Sequence, residues 1–516
     1  MENEIEINEQ FQRALDLLEN TSKVLFITGR AGTGKSTLLR FFKEHSHKKS
    51  VVLAPTGVAA LNVQGQTIHS FFGFDPEITV PEAQRIAHII SEKELYRRVE
   101  VIIIDEVSMV RADLLDCIDV FLRTIRGKNL PFGGAQLVFI GDLYQLPPVV
   151  KGEEEKILSF RYPTPFFFDA LVMRELEEKL GNIEFVELEK IYRQEDEEFI
   201  NILNAIRSRH ITPEMLERLN SRFFPYPEEL EEDHIVLTST NQQANEINSY
   251  HLNRLKGKEK IYQGVLEGNF ERRDLPTETE LALKEKARVM FLVNDPCDRF
   301  VNGTLGTVVE IGKELVVVTD DGLEVELEPF TWEMYRSLWN PEEETIEREI
   351  VGTFTQIPLR LAWAITIHKS QGKTFPRVII DLGKGAFASG QVYVALSRCT
   401  SLEGIILKKP IRLRDIRMDY RVVRYLTRLQ AKLSEREMSF EEKLRIIQQA
   451  ISKGEGLVII YLDGSGDKSR RKILPFSLEE TEYMGKTFLG LSAFCYKRNS
   501  SRVFRVDRII QIEKAD

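Results

Sequence analysis

GRAGTGKST, residues 29–37, follows the apolar run KVLFIT and leads into the helical pattern KSTLLRFFKEH. Its spacing fits G-x-x-x-x-G-K-[ST], in which glycines let backbone N–H groups turn toward phosphate oxygens. Lys35 would reach the β and γ phosphates of a nucleotide, and Ser36 would supply an oxygen to Mg²⁺. A glycine-rich turn without this role would need neither the lysine nor the hydroxyl. The stretch therefore predicts a strand, a phosphate-binding loop and a helix that hold ATP and Mg²⁺. The loop residues expected to contact the nucleotide are Gly29, Ala31, Gly32, Thr33, Gly34, Lys35, Ser36 and Thr37.

Two later stretches place acidic and amide side chains at strand ends. VEVIIIDEVSMV, residues 99–110, is an apolar run followed by Asp105 and Glu106. Ligands of open α/β sheets bind at the carboxyl ends of strands. Asp105 would therefore hold Mg²⁺, through water, and Glu106 would orient and polarise the attacking water. The same pattern, an apolar strand followed by polar residues, occurs in QLVFIGDLYQLPPVV, residues 136–150. Its Gln145 is a candidate γ-phosphate sensor. A turn glutamine without that role is the alternative.

Composition limits the class of protein. The 516 residues are 42% hydrophobic and 29% charged, which is ordinary for a folded protein of several domains. The sequence contains no run of about 18 apolar residues, the length that a membrane span would need. Its acidic start, MENEIEINEQ, also differs from a signal peptide, so a cytoplasmic protein is expected. The net charge of −10 argues against general binding of polyanions, unless a local basic groove overrides it. The cysteines lack C-x-x-C spacing, so free buried thiols are expected at Cys117, Cys297, Cys399 and Cys495.

Nine stretches occur in an order that resembles a known family. They are GRAGTGKST, VVLAPTGVAALNVQGQTIHSFFGF, IIIDEVSMV, GDLYQLPPV, EKIYRQED, VLTSTNQQANEIN, VMFLVNDPCDRFVNGTLGTV, LAWAITIHKSQGKTF and VYVALSRCTSLEGI. Together they resemble the Pif (petite integration frequency) DNA helicases, on the RecD-like 5′-to-3′ branch of helicase superfamily one. The resemblance covers residues 5–415. Its specificity lies in the ordered set, because a lone phosphate-binding loop says much less.

The resemblance implies an α/β fold with two RecA-like P-loop NTPase domains that hold ATP between them. Gln10 matches the glutamine that reads adenine, although the spacing leaves Gln12 open. Arg193 and Arg398 match two arginines that the second domain points at the γ-phosphate. Guanidinium groups suit this role because they stay charged and bind oxygens in pairs. Domain closure would then complete the ATP site, and hydrolysis would release it.

The resemblance and the strand and helix patterns together give the expected domains. These are a RecA-like domain at 1–180 with a wedge insertion near 73–98, a second RecA-like domain at 181–275 and 355–415, an SH3-like β-barrel insertion at 276–354, a helical linker at 416–440 and a small β domain at 441–516. Short β runs from residue 287 to residue 330, with Asp321-Gly322 as a hairpin turn, indicate the barrel.

Stretches after the strand ends of both RecA-like domains resemble the DNA-facing segments of the family. Hydroxyl, amide and cationic groups there suit contacts to the sugar-phosphate backbone, which predicts little sequence specificity. The expected DNA contacts are Thr56, Thr67, His69, Ser70, Asn241, His368 and Lys369. Stacking of Phe71 or Phe72 on a base is the alternative to packing in the core, and packing is the better interpretation.

The C-terminal tail SAFCYKRNSSRVFRVDRI resembles the WYL module, a small Sm-like β-barrel. The positions of the triad that names the module hold Leu489, Gly490 and Leu491 instead, which puts ligand contacts by those side chains in doubt.

Charge predicts a role for this tail. Residues 451–516 carry 12 basic and 9 acidic side chains, a net charge of +3, on an otherwise acidic chain. We expect an accessory nucleic-acid contact through KSRRK at 468–472 and through Arg502, Arg505 and Arg508. Alternation along SRVFRVDRI predicts that Val503, Val506 and Ile509 pack inside a barrel. The alternative is that these arginines are solvated or pair with Asp507 and nearby glutamates.

The leading hypothesis is an ATP-dependent DNA helicase that moves 5′-to-3′ on single strands. A RecD-like recombination subunit and a P-loop regulatory ATPase that binds DNA without unwinding it are the alternatives. Two candidate arginine fingers argue against a simple switch. The expected partners are single-stranded DNA and junctions of single and double strands, with G-quadruplexes and RNA–DNA hybrids as further substrates. The resemblance also suggests roles in DNA repair, recombination and telomere maintenance, by a monomeric protein away from membranes.

Overall fold

The computed structural model describes residues 7–150, 152–180, 183–194, 196–225, 234–270, 275–297, 299–312, 314–463, 468–483 and 486–515. Its helices are α1 (Glu9–Asn20), α2 (Lys35–His45), α3 (Gly57–Asn62), α4 (Ile68–Phe72), α5 (Val80–Ile89), α6 (Lys93–Arg98), α7 (Ala112–Arg126), α8 (Gly152–Arg161), α9 (Leu171–Glu175), α10 (Glu197–Arg207), α11 (Pro213–Asn220), α12 (Asn241–Arg254), α13 (Gln391–Leu396), α14 (Tyr420–Glu437) and α15 (Phe440–Lys453). Its strands are β1 (Val24–Gly29), β2 (Ser50–Ala54), β3 (Gln66–Thr67), β4 (Val101–Ile104), β5 (Gln136–Ile140), β6 (Ile183–Leu188), β7 (Ile235–Thr238), β8 (Lys260–Gln263), β9 (Val265–Gly268), β10 (Glu280–Leu283), β11 (Arg288–Phe291), β12 (Leu305–Ile311), β13 (Leu315–Thr319), β14 (Glu324–Leu327), β15 (Phe330–Asn340), β16 (Thr345–Gln356), β17 (Leu359–Leu361), β18 (Ala364–Thr366), β19 (Val378–Asp381), β20 (Ile405–Leu407), β21 (Leu457–Leu462), β22 (Lys468–Tyr483), β23 (Lys486–Cys495), β24 (Ser500–Arg505) and β25 (Ile509–Lys514).

The first domain is built on a six-stranded sheet in the order β3-β2-β4-β5-β1-β6. Every neighbouring pair in it is parallel. The central strands β1, β4 and β5 are apolar runs whose residues are all buried, as a parallel sheet covered by helices requires. This is the α/β arrangement that the sequence predicts around the phosphate-binding loop.

This sheet extends beyond residue 180, where the sequence analysis ended the first domain. β6 pairs in parallel with β1 along its whole length, from Val24 opposite Ile183 to Gly29 opposite Leu188. The backbone of β1 has a free edge on that side, and the apolar residues of β6 complete it. The chain therefore leaves the first sheet after Leu188, and Arg193 lies in the segment between β6 and α10.

Two short helices, α5 and α6, form the insertion predicted near 73–98, and α5 packs against α7. The aromatic residues just before the insertion are in the core. Phe71 and Phe72 are 4% and 0% exposed and pack edge-on or stacked against Tyr96, while Phe72 also packs against Phe121. The packing interpretation of these two phenylalanines is confirmed.

The second domain has a parallel sheet in the order β18-β7-β19-β20. Its strands come from two stretches of the chain, on either side of the β-rich insertion. The topology of this sheet places the predicted DNA segments and the second domain's side of the nucleotide cleft at the ends of its strands. The helix α12 begins directly after β7, and the segment 367–373 directly follows β18.

The insertion contains the antiparallel sheet β14-β13-β12-β11-β17 around a core of its own. A turn at Asp321-Gly322 joins β13 to β14, and Gly322 has a positive φ, as predicted for this hairpin. The sheet takes its last strand, β17, from residues beyond 354, the predicted end of the insertion.

A long hairpin, β15 and β16, was not predicted and joins β9 in a separate three-stranded sheet. It reaches the first domain. The backbone N–H and hydroxyl of Ser337 both donate to Oε1 of Gln66, at 3.0 and 2.7 Å. Two cations lie over the ring of Trp339, with Nζ of Lys49 at 4.8 Å and the guanidinium carbon of Arg98 at 5.5 Å from its centroid. The hairpin thus bridges the insertion and the first domain.

Residues 418–516 form a second compact unit. Its sheet has the order β24-β23-β22-β21-β25, and α14 and α15 cover it. The hydroxyl of Ser434 in α14 donates to the carbonyl of Ile510 in β25 at 2.5 Å. The helix predicted as part of a linker at 416–440 therefore belongs to the C-terminal unit, where it contacts β25.

Within that unit one predicted core residue is on the surface. Val503 is 52% exposed, whereas Phe504, Val506 and Ile509 are buried. Side chains alternate along β24, so the inward position of Phe504 turns Val503 outward. A short 3₁₀ turn over residues 506–508 then changes the phase of the pattern.

The cysteines are free, with Cys117, Cys399 and Cys495 buried and Cys297 exposed, which corrects the expectation of a buried thiol at Cys297. Among the helices of the described residues, none has the length and apolar content to cross a bilayer.

Candidate functional site

The phosphate-binding loop lies between β1 and α2, as predicted. Lys35 is the first residue of α2, and its ammonium donates to the carbonyls of Gly29 and Arg30 at 2.8 and 3.0 Å. Burial lowers the pKa of Lys35, and the nearby carboxylates of Asp142 and Glu106 oppose that shift. A helix N-terminus with free N–H groups and a desolvated cation favours a bound polyphosphate.

Arg193 lies directly on this loop. Gly32 has φ of +82°, and a Cβ at this position would be 2.5 Å from Cβ of Arg193. The N–H of Tyr192 donates to the carbonyl of Gly32 at 2.8 Å. Only glycine fits both this backbone conformation and this close approach. The segment after β6 is therefore held against the loop that would cradle the phosphates.

Asp105 and Glu106 follow β4, opposite the loop. The N–H of Glu106 donates to Oδ1 of Asp105 at 2.9 Å, and Glu106 has a positive φ of 50°, an uncommon conformation that occurs at functional sites. Burial, followed by the charge of Glu106, raises the pKa of Asp105 to about 7. Burial also raises the pKa of Glu106, against the opposing effect of Lys35. Such desolvated carboxylates favour a nearby cation.

The same carboxylates suit a magnesium ion. Ser36, Asp105 and Glu106 line one cavity of about 740 Å³. A serine hydroxyl and a buried carboxylate are oxygen donors of the type that Mg²⁺ prefers, and its remaining ligands are commonly water and substrate phosphates. The predicted pair, Ser36 and Asp105, therefore fits the ion, which would neutralise phosphate charge when bound.

Gln371 of the second domain completes this side of the cleft. Its Nε2 donates to Oε2 of Glu106 at 2.9 Å and to Oε1 of Gln145 at 3.0 Å. Gln145 is thereby connected to the carboxylate predicted to polarise water. The sequence predicts no role for Gln371, which lies in LAWAITIHKSQGKTF, because the contact joins residues more than 200 positions apart.

Arg398 is buried in the second domain, with 1% of its surface exposed. Its guanidinium donates to the carbonyls of Val394, Ser370 and Lys373 at 3.0 to 3.4 Å. Burial and then the charge of Arg193 lower the pKa of Arg398 to about 9. Two guanidinium groups that repel each other in a desolvated cleft produce an electropositive position suited to an anion.

A buried network joins the domains behind the cleft. The N–H of Ala31 donates to the hydroxyl of Tyr393 at 3.1 Å, and that hydroxyl donates to Oδ2 of Asp142 at 3.2 Å. Asp142 also pairs with Arg207 of α10 at 3.1 Å. In addition, a Cβ at Gly390 would lie 2.3 Å from the carbonyl oxygen of Tyr144. The loop after β5 is therefore packed tightly against two helices of the second domain.

The adenine position is less well defined. Gln10 is half-buried in α1, two residues after Asn8, whose amide reaches the hydroxyl of Tyr192 at 3.5 Å. Gln12 is exposed and donates to Asp16 at 3.0 Å. The role of Gln10 in reading adenine stays a prediction.

The 740 Å³ cavity continues from the cleft toward predicted DNA contacts. Thr56, His368 and Lys369 line it together with Ser36 and Glu106. The hairpin contributes side chains that were not predicted from the sequence, namely Phe330, Trp332, Tyr335 and Arg348, and the segment after β18 contributes Lys373. Cationic and aromatic groups combined in one groove suit single-stranded nucleic acid.

Other predicted DNA contacts lie outside this cavity. The hydroxyl of Thr67 caps α4 by accepting from the N–H of Ser70 at 3.1 Å. His69 is half-buried on the same short helix, and Asn241 is exposed at the start of α12. Thr56, which does line the cavity, likewise caps α3. Contacts of these residues with DNA stay predictions.

Substitution of Gln371 tests the link between Glu106 and Gln145. We expect Gln371→Ala to lower DNA-stimulated ATP turnover about 10- to 100-fold, since a hydrogen bond to a charged group contributes about 1.5–3 kcal/mol. Gln263→Ala is the matched control, because Gln263 makes an exposed amide contact to Glu280 at 3.5 Å. Steady-state ATP hydrolysis with saturating oligonucleotide measures both variants. Equal turnover in the two variants would show that Gln371 does not contribute to ATP hydrolysis.

Comparison with known proteins places this geometry in a family. The model described as PIF1-like helicase matches residues 6–215, and the model described as WYL domain matches residues 442–514. The chain is 33% identical to the ATP-dependent DNA helicase Pif1 of Bdellovibrio bacteriovorus over 416 residues, which cover 78% of this chain and 88% of that protein. Bacteroides sp Pif1 in complex with ADP-AlF4 is 37% identical, with a TM-score of 0.73 over 82% of this chain and 96% of that chain. Bacteroides Pif1 bound to ssDNA is 38% identical, with a TM-score of 0.60 over 82% of this chain and 96% of that chain. The resemblance and the fold class predicted from the sequence are confirmed, and the chain belongs to the PIF1-like helicase family.

Proposed function

We propose that this chain is an ATP-dependent DNA helicase that moves 5′-to-3′ on single-stranded DNA and unwinds duplex ahead of it. The observation that carries the proposal is the shared cleft: Gln371 of the second domain bonds Glu106 of the first, and residues of the same segment, His368 and Lys369, line the adjoining groove. A change at the γ-phosphate would therefore move the segment that contacts DNA. The ADP-AlF4 and ssDNA complexes of the Bacteroides relatives support ATP and single-stranded DNA as ligands.

The residues divide the chemistry between the two domains. Lys35 and the loop N–H groups bind the phosphates, Ser36 and Asp105 hold Mg²⁺, and Glu106 accepts a proton from the attacking water. The guanidinium groups predicted to stabilise the transferring phosphoryl group come from Arg193 and Arg398. The cleft is complete only when the domains are closed around ATP. Hydrolysis removes the bond to the γ-phosphate and so releases the closure, and repeated cycles would move the protein along the strand.

Unwinding of 5′-tailed and 3′-tailed duplexes tests the proposal. The 5′-tailed substrate should be unwound and the 3′-tailed substrate should not, with ATP hydrolysis strongly stimulated by single strands. Stimulated hydrolysis without unwinding of either substrate would favour the regulatory ATPase. Unwinding that requires an added recombination partner would favour the RecD-like subunit. The same assay extends to junctions, G-quadruplexes and RNA–DNA hybrids, which we propose as further substrates, and sedimentation tests the proposed monomer.

We also propose that the C-terminal unit is an accessory nucleic-acid contact. A groove of about 580 Å³ between α14, α15 and the turn that follows β24 brings together basic side chains: Arg424, Arg428, Lys432, Lys443, Arg505 and Arg508. Two acidic residues, Glu435 and Asp507, also line it, and Asp507 pairs with Arg505 at 2.6 Å. The ion pair supports the alternative that Arg505 is neutralised by Asp507 and does not bind nucleic acid. The excess of basic over acidic side chains in the groove supports a bound polyanion.

Removal of this unit should weaken binding without stopping the motor. The cut belongs after Arg417, because α14 is part of the second compact unit. The shortened chain is expected to keep DNA-dependent ATP hydrolysis and to bind single strands more weakly. Its dependence of affinity on salt should also be shallower, since fewer counterions are released. Fluorescence anisotropy at several salt concentrations measures both quantities. Unchanged affinity and slope would exclude the contact.

A further inference from the structure

The sheet of the second domain ends in a basic cavity that is separate from the nucleotide cleft. The segments that follow β19 and β20 enclose an open space of about 320 Å³. Four cationic side chains line it: Lys384, Lys409, Arg412 and Arg414. Asp415 is the acidic residue in the lining. In a chain with a net charge of −10, this is a marked local excess of positive charge.

Internal contacts leave most of this charge unneutralised. Oδ2 of Asp415 accepts from the backbone N–H of Arg412 at 3.0 Å, and Nζ of Lys409 donates to the carbonyl of Gly383 at 2.7 Å. Within the described part of the chain, the side-chain cations of Lys384, Arg412 and Arg414 make no hydrogen bond or ion pair. Neighbouring cations repel one another, so a ligand that spans them with several negative charges would bind favourably.

The cavity is held in place by its surroundings. The side chain of Asn220 accepts from the N–H of Ile411 at 2.8 Å and donates to its carbonyl at 2.9 Å. On the other side, a Cβ at Gly383 would be 2.8 Å from Nε2 of Gln243, which lies in the first turn of α12. Asn241, a predicted DNA contact, begins that helix. The cavity is therefore fixed and directly adjoins the predicted path of the strand.

An exposed aromatic side chain stands on the same loop. Phe387 is 56% exposed, and its carbonyl accepts from Nη1 of Arg417 at 3.1 Å, while its N–H donates to Gln391 at 3.0 Å. These two backbone contacts hold the residue while its ring remains open to solvent. A basic groove beside an open ring is the combination that binds single strands without reading their sequence.

We propose that this cavity, which we call the basic edge (Lys384, Lys409, Arg412 and Arg414), binds the sugar-phosphate backbone of single-stranded nucleic acid and that Phe387 stacks on a base there. It lengthens the strand path beyond Asn241 by a few nucleotides. The inference rests on the proposed function, since a strand must first cross the second domain in order to reach this edge. The basic edge would affect affinity for the strand rather than ATP hydrolysis, because none of its residues lines the nucleotide cleft.

The test compares two full-length triple variants of equal charge change. Lys384→Gln, Arg412→Gln and Arg414→Gln alter the basic edge. The control carries Lys256→Gln, Lys258→Gln and Lys286→Gln, which are exposed positions: the first two follow α12, and the third lies in the turn between β10 and β11. Fluorescence anisotropy measures the affinity for oligo(dT) of about 6 and about 16 nucleotides over a series of salt concentrations. Both lengths fall within the range of single-strand sites.

We expect the basic-edge variant to bind the long oligonucleotide more weakly, with a salt slope lower by about 2, because each lost phosphate contact on a single strand removes about 0.7. Affinity for the short oligonucleotide and ATP turnover at saturating DNA should match the control. Phe387→Ala should lower long-strand affinity about 5- to 100-fold with an unchanged slope, and Phe387→Tyr should restore it.

Three outcomes overturn the inference while leaving the helicase proposal intact. The first is long-strand affinity and slope equal to those of the control. The second is an equal loss of affinity for both lengths, which would place these cations in the main path. The third is that inorganic phosphate, but not chloride of the same ionic strength, abolishes the difference in affinity between the long and the short oligonucleotide, which would identify a site for small anions. If the unaltered chain shows no strand-stimulated ATP hydrolysis, the proposed function itself fails.

Discussion

Replacing Arg398 by lysine is expected to lower DNA-stimulated ATP turnover by on the order of 10³-fold, the loss seen when an arginine finger is removed from phosphoryl-transfer enzymes. Lysine keeps one positive charge but lacks the planar fork that binds two phosphate oxygens. The buried guanidinium also donates to several carbonyls and to the hydroxyl of Ser397 at 2.9 Å. Thermal unfolding must therefore be measured alongside turnover, to separate a loss of chemistry from a loss of stability.

A second variant makes this test independent of folding. Arg193 is half-buried and donates weakly, at 3.4 Å, to the carbonyls of Ser397 and Gly372. Arg193→Ala should then lower turnover to a similar degree with little change in unfolding temperature. Affinity for single strands, measured by anisotropy, should remain close to that of the unaltered chain for both variants. Weakened DNA binding with normal turnover would move the two arginines out of the ATP site.

The local parts of the site were predictable from the sequence. The loop at residues 29–37 and the carboxylates after β4 are encoded within a dozen residues each, because a strand, a turn and a helix must follow one another to present them. The parallel sheets follow from apolar runs that alternate with helical patterns. Arg193 and Arg398, by contrast, depended on resemblance, since an isolated arginine carries no local signal.

The contacts between domains were not predictable in this way. Gln371 meets Glu106 and Gln145 across more than 200 residues of chain, and Tyr393 meets Asp142 across a similar separation. No spacing rule connects such positions. The place of β6 beside β1 depends on the free edge of the sheet rather than on the sequence near residue 180.

The hairpin of β15 and β16 shows the same limit for the DNA path. Its residues mix aromatic, charged and polar side chains, and most are partly exposed on both faces, so no clean alternation marks a strand. Only the fold reveals that Trp332 and Tyr335 line the cavity that also contains His368. Under the proposed function, the hairpin forms one wall of the strand path.

Glu106→Gln should stop hydrolysis while ATP remains bound, with turnover lower by about 10²- to 10⁴-fold, the usual contribution of a general base. The amide keeps the shape of the side chain, and its Oε1 can still accept from Nε2 of Gln371, which lies 2.9 Å from the native carboxylate. What is lost is the basic oxygen that takes a proton from water. Glu44→Gln is the control, since Glu44 is an exposed carboxylate on α2 and its change removes the same charge.

Equilibrium binding of fluorescent ATP and single-turnover hydrolysis distinguish this result from a damaged pocket. Burial raises the pKa of Glu106, so its removal relieves desolvation, and nucleotide affinity should be equal to or tighter than that of the unaltered chain. The stalled protein should also hold single strands tightly in the presence of ATP, because the closed cleft cannot release. A variant that hydrolyses ATP at the rate of the Glu44→Gln control would show that another residue positions the water, and Asp105, bonded to the same turn at 2.9 Å, would be the next candidate.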